Sequence, residues 1–114
     1  MIEIEDPEDR KILTLARSTR ARTGAAQGAC VRDSDGRTYA GASVDLPSLQ
    51  LSAVQVAVAM AASSGAPGLE AVAVLSEAAV VSDDDLAAVR DLGGEGVAVL
   101  VGSPDGTVQA KRTT

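Results

Sequence analysis

The chain has no histidine, no tryptophan and no phenylalanine, and only one cysteine and one tyrosine. Without imidazole it has no side chain that titrates unperturbed near neutral pH, and the commonest metal ligand is absent, which removes most hydrolase mechanisms. Tyr39 as the sole aromatic leaves no platform on which the bases of single-stranded nucleic acid could stack, and the core has to be aliphatic. Cys30 alone cannot close an intrachain disulfide, and the sequence opens without a signal peptide, so the cytoplasm is the expected location. Positive charge is scarce as well. Ten Lys and Arg stand against 16 Asp and Glu, for a net charge of -6 and a pI near 4.4. Nucleic acids and anionic membranes both select a positive footprint, so neither is an expected partner. No segment approaches the roughly 20 apolar residues of a membrane span.

The 114 residues are expected to form one domain, residues 1-114, large enough to bury a core and small enough to gain from oligomerisation. The stretch Gly41 to Gly65 carries no charge after Asp45, and the next charge is Glu70. Pro47 and Ser48 read as a helix start and Gly65 as its stop. Leu49, Leu51, Val54, Val56, Val58 and Met60 are spread around such a helix, predicting one that is covered on most sides. Val54, Val56 and Val58 also alternate as in a strand, but the intervening alanines and the length favour helix.

Around this segment the other elements follow in order. Met1 to Glu5 reads as a flexible lead or an edge strand. Asp6-Pro7-Glu8-Asp9 gives an N-cap, a proline at the first helical position and acids in the first turn, and Ile12, Leu13, Leu15, Ala16 and Thr19 make an apolar face. Arg10, Lys11, Arg17, Arg20 and Arg22 hold half of the positive charge; they read as a solvated helix face, with an anion or RNA contact as the alternative. A hairpin is expected from strands near Gln27 to Arg32 and Arg37 to Val44 about the turn Asp33-Ser34-Asp35-Gly36. Cys30, inside the first strand with no histidine to activate it, reads as a small buried hydrophobe. Leu69 to Leu75 and Val97 to Val101 are apolar enough to be strands covered on both faces. Ser82 followed by Asp83, Asp84 and Asp85 opens a helix ended by Gly93-Gly94. Consecutive side chains on a helix point about 100° apart and do not converge on one ion, so the three acids read as helix-start electrostatics. After the turn Ser103-Pro104-Asp105-Gly106, Thr107 to Ala110 is expected as an edge strand and Lys111 to Thr114 as a loose tail. The fold class is α/β, a three-layer α/β/α sandwich on a mixed five-stranded sheet.

Gln27-Gly28-Ala29-Cys30-Val31, followed by Asp35-Gly36-Arg37-Thr38-Tyr39 and Gly41-Ala42-Ser43-Val44-Asp45, resembles the cytidine deaminase family over most of the chain. There a V-G-A-A-like strand, a D-G-x-x-Y turn and a G-x-N-x-E strand end lead into a helix carrying a C-A-E or H-A-E zinc motif. The resemblance implies a zinc-bound hydroxide that attacks the pyrimidine ring and a glutamate that shuttles the proton. Carried across without gaps, the motif falls on Val54, Gln55 and Val56, so the first ligand and the shuttle are both valine. No Cys, His, Asp or Glu lies between Leu46 and Leu69. The further ligands, from a P-C-x-x-C helix start, fall near Val81, on Ser82 and Asp85. The ribose-contacting Asn and Glu fall on Ser43 and Asp45, and the base-stacking Phe on Ala25.

The chain is therefore expected to be a catalytically inactive cytidine deaminase-like protein with a structural, protein-binding or regulatory role. It should need no cofactor and no zinc, with Val54 and Val56 serving as packing residues. The resemblance implies a homo-oligomer, dimer or tetramer. Two alternatives stay open. One is an enzyme, either a deaminase-like subunit whose chemistry sits on a partner chain or a catalyst of a different small-molecule reaction using Asp45 and the Ser82 to Asp85 helix start. The other is a nucleoside or nucleotide sensor using Ser43, Asp45 and the free N–H groups at Ser48 and Ser82.

Overall fold

The computed structural model describes residues 1–114. Asp6 starts the first helix as its position suggests. Its carboxylate accepts the Glu8 N–H at 2.8 Å, Pro7 occupies the first turn, and Gly24 at φ 68° closes α1 (Pro7–Thr23) in the left-handed region. The chain continues through β1 (Gln27–Asp33), β2 (Thr38–Ala42), β3 (Val44–Leu46), β4 (Leu49–Leu51), α2 (Ala53–Ser63), β5 (Leu69–Ser76), α3 (Asp83–Gly93), β6 (Ala98–Gly102) and β7 (Val108–Thr113). Five strands form one sheet in the order β2-β1-β5-β6-β7, antiparallel except for the β5–β6 pair, which α3 connects. The expected three-layer mixed-sheet sandwich is the observed fold.

Alternation along the strands divides the core between the two faces of the sheet. Cys30, Ala71, Ala73, Leu75, Leu100 and Val108 meet Ile12, Leu13 and Ala16 of α1. Ala29, Val31, Val72, Val74, Val99 and Val101 meet α2 and α3 on the other side. Gly28 lets α1 lie close to the sheet, since a Cβ there would overlap the Ala16 carbonyl oxygen and come within 2.7 Å of Arg20 Cβ. Arg32 braces the same layer, bonding Glu70 at 2.9 Å and Asp9 at 3.1 Å. Of the α1 cations, Arg10, Lys11, Arg17 and Arg22 are exposed; Arg20 donates to the Ala26 carbonyl and Arg17 to that of Asp105.

Three expectations are corrected. The central helix starts at Ala53, not after Ser48. Pro47 and Ser48 instead form the two-residue link of a small separate hairpin, β3–β4, in which Leu46 faces Leu49. The helix waits for Ser52, whose hydroxyl accepts the Gln55 N–H at 3.1 Å while Gln55 Oε1 accepts the Ser52 N–H at 2.9 Å, a reciprocal capping box. Nor is this helix covered on most sides. Ala53, Val54, Ala57, Val58 and Ala61 make one buried stripe, while Ala59, Met60 and Ala62 are exposed. At 11 residues it is short, and no helix is long and apolar enough to cross a membrane. Finally, Lys111 to Thr114 is not loose. Backbone pairing to β6 carries β7 to Thr113, and the Thr114 hydroxyl donates to the Gly94 carbonyl at 2.7 Å and accepts the Val97 N–H at 3.0 Å. At the other end Ile2 pairs with Val108, so the lead is partly tied to β7.

The β1–β2 turn is organised by a buried acid. Asp33 Oδ1 accepts the N–H groups of Asp35 and Arg37, each at 2.9 Å, and Oδ2 accepts the Tyr39 hydroxyl at 2.9 Å. Desolvation pushes this carboxyl upward, but the donors from Arg37, Tyr39 and Asp35 outweigh it and hold it below the ordinary carboxylate range. A group lowered on folding stabilises above its unfolded pKa of about 4, and that stabilisation fades as pH falls through its folded value. Asp33→Asn should therefore lower the urea midpoint at pH 7, and the gap to the parent should close as both are titrated below about pH 4. A gap that stays constant down to pH 2 would remove this role for the charge.

Candidate functional site

The positions singled out by sequence lie at the first turns of α2 and α3 and on the stretch from the end of β2 into β3. Val54 is completely buried on the first turn of α2. Val56 is only half-buried, which corrects its expected place in the core. It packs over Gly41, where an added Cβ would come within 2.7 Å of Val56 Cγ1. Ser82 caps α3 by accepting the Asp85 N–H at 3.1 Å. Asp85 turns inward and is 3% exposed, whereas Asp83 and Asp84 beside it face solvent.

The two helix starts are joined by a bond that sequence reading did not anticipate. Ser52 Oγ donates to Asp85 Oδ1 at 2.6 Å. Gln27 extends the polar network to the sheet, because its Oε1 accepts the Ala53 N–H at 3.2 Å. Ser43 is engaged with the same residue, its hydroxyl accepting the Gln27 N–H at 3.0 Å and its own N–H donating to the Gln27 carbonyl. Asp45 lies exposed on β3 opposite Gln50 and shares no hydrogen bond with Ser43. Ser48 is no helix start, so its proposed free N–H site is withdrawn. Ala25, the position of the family's stacking Phe, is half-buried. Cys30 is fully buried, and desolvation pushes its thiol up to about 11, so it stays protonated at neutral pH.

Chemically, this junction offers one buried carboxylate, three engaged side chains at Ser52, Ser82 and Gln27, and the apolar surface of Val54. Of the residues missed by sequence reading, Ser52 and Gln55 did carry a signal, the S-x-x-Q spacing of a capping box. Gln27 had none, since its role depends on β1 and α2 meeting.

A parallel and antiparallel five-strand sheet, with one helix on one face and two on the other, places this chain among proteins built like the small cytidine deaminases. The solved cytidine deaminase of Burkholderia pseudomallei superposes with a TM-score of 0.75 at 20% identity, covering 91% of this chain and 89% of that one. The Mycobacterium leprae enzyme gives 0.73 at 19%, covering 96% and 94%, and the Mycobacterium tuberculosis enzyme 0.72 at 23%, covering 82% and 85%. Among curated proteins no sequence match is found. The cytidine deaminase-like family model matches residues 5–106, and the chain belongs to that family.

The zinc that this family resemblance implies does not fit the residues present. Val54 offers no lone pair, the Ser82 hydroxyl already accepts the Asp85 N–H, and Asp85 Oδ1 already accepts the Ser52 hydroxyl. Zinc in such sites is held by thiolate and imidazole, and the one thiol, Cys30, is buried in β1 against the α1 layer.

Proposed function

We propose that this chain is a catalytically inactive cytidine deaminase-like domain that acts as a structural or protein-binding module. The observation that carries this reading is Val54, wholly buried where the resemblance puts the first zinc ligand. Val56 at the position of the proton-shuttling glutamate supports it, because a branched alkyl group can neither accept nor deliver a proton. Ser43 and Asp45 support a nucleoside site poorly, the first being bonded to Gln27 and the second being turned to solvent on a separate hairpin.

A binding role finds support in the exposed apolar side chains. Leu46 and Leu49 face each other across the β3–β4 hairpin at 54% and 49% exposure, and Met60 on α2 is 40% exposed. These lie within the one long uncharged stretch of an acidic chain, where two copies of net charge -6 repel least. A second copy of the chain is the partner this surface suits, and a native mass above that of one chain is the expected result.

The activity test is direct. The purified protein should convert neither cytidine nor deoxycytidine above the rate without protein. The shuttling carboxylate alone typically contributes about 10²- to 10⁴-fold, and the activated hydroxide is missing as well. Turnover that stays with the protein through successive purification steps would overturn the reading.

A further inference from the structure

We propose that Ser52 and Asp85 form a side-chain lock between the starts of α2 and α3, doing without metal the joining that a shared metal ion would do at this junction. The two residues are 33 positions apart, and their bond is 2.6 Å long. That is toward the short end of the range for a hydroxyl donating to an oxygen acceptor. The lock is built into both caps. Ser52 accepts the Gln55 N–H while donating to Asp85, and Asp85 donates its own N–H to Ser82. The carboxylate therefore belongs to the first turn of α3 and lies against the first turn of α2, where both helix dipoles favour negative charge.

Neighbouring residues show that this placement is selective. Asp83, Asp84 and Asp85 follow one another, and only Asp85 is buried. Gln27 Oε1 takes the Ala53 N–H and Ser52 Oγ the Gln55 N–H, so two donors of the first turn of α2 are satisfied by side chains from two directions. In a network so connected, removal of the Ser52 hydroxyl leaves a buried carboxylate short of a donor, and removal of the carboxylate leaves the hydroxyl short of an acceptor. The energetic signature is coupling between two residues on different helices, which a cap acting alone would not produce.

A double-mutant cycle by urea unfolding tests this. Ser52→Ala and Asp85→Ala should each raise the unfolding equilibrium constant at least about tenfold, and the double variant should be no more than about threefold worse than the weaker single. Effects that multiply would overturn the lock. Should an alanine variant fail to fold, three further variants decide. Ser52→Thr keeps the hydroxyl and should unfold with the parent. Ser52→Asp keeps a good cap acceptor but sets one carboxylate against another, so it should be destabilised and then rescued by Asp85→Ser, which restores a hydroxyl–carboxylate pair with its ends exchanged. Failure of that rescue would also overturn the proposal. The lock rests on the metal-free reading of the junction, and the two fail separately. A rise in the parent's midpoint on adding zinc would overturn that reading, whereas multiplicative effects in the cycle would overturn the lock.

Discussion

Val54→Asp is expected to unfold at a far lower urea concentration than the parent, or not to fold at all. Val54 is 0% exposed and packs in the cluster that α2 shares with Ala29, Val31, Val72 and Val74. Exchanging the isopropyl group for a carboxylate forfeits ~1.5 to 3 kcal/mol of apolar burial. It also buries a group that must stay protonated, with a raised pKa, or draw water into the core. A loss of several kcal/mol is large against the ~5 to 15 kcal/mol that stabilises a typical domain. Val56→Glu makes the control on the same helix. That position is half-buried, so a longer side chain can carry its charge to solvent, and the loss should be clearly smaller. Equal midpoints for Val54→Asp and the parent would show that the position lines an open cavity and not the core.

Gly28→Ala should have the second large effect. One methyl group at this position overlaps the Ala16 carbonyl oxygen and meets Arg20 Cβ at 2.7 Å, and the first of these is helix backbone that no rotamer change can move. Helix α1 has to lift from β1, loosening the layer in which Ile12, Leu13 and Ala16 cover Cys30, Ala73 and Leu75. Overpacking typically costs ~1 to 3 kcal/mol, and a clash with backbone belongs at the upper end of that range. The same substitution at Gly24 has open space around it and strains only a left-handed backbone at φ 68°. It should therefore cost less, ~1 to 2 kcal/mol. If Gly24→Ala proved the more damaging of the two, close packing of α1 would not be what fixes glycine at position 28.

Those two positions illustrate how far the sequence was readable. The core strands announced themselves through unbroken runs, Leu69 to Leu75 and Val97 to Val101, and α1 and α3 through caps at Asp6 and Ser82. Such signals are local, arising within a few residues of the element they define. Pro47-Ser48 resembles a helix entry, which puts the expected start of α2 four residues before the observed one. The alternation of Val44, Leu46, Leu49 and Leu51 with polar neighbours, together with the capping box at Ser52, carried the better answer. The last turns of β7 left no apolar pattern, since Lys111 and Arg112 are exposed and the strand is held by backbone pairing. Gly28 reads from sequence as part of a strand, but the helix it admits lies over it only in the folded state. Of the candidate site, the absence of thiolate and imidazole at Val54, Ser82 and Asp85 was plain from residue identity. The inward turn of Asp85 to Ser52 was not, because 33 residues separate them and either reads as an ordinary cap or helix-start residue alone. Asp33 was likewise read as a turn residue, and its burial beneath Tyr39 appears only once β1 and β2 pair.

Whether this cytidine deaminase-like fold stands without the family's metal is decided by elemental analysis for zinc on protein purified without chelator and passed through gel filtration at its native mass. Zinc far below stoichiometric amounts is expected, with the protein folded. Stoichiometric zinc that remains with the folded chain through gel filtration would contradict the metal-free reading.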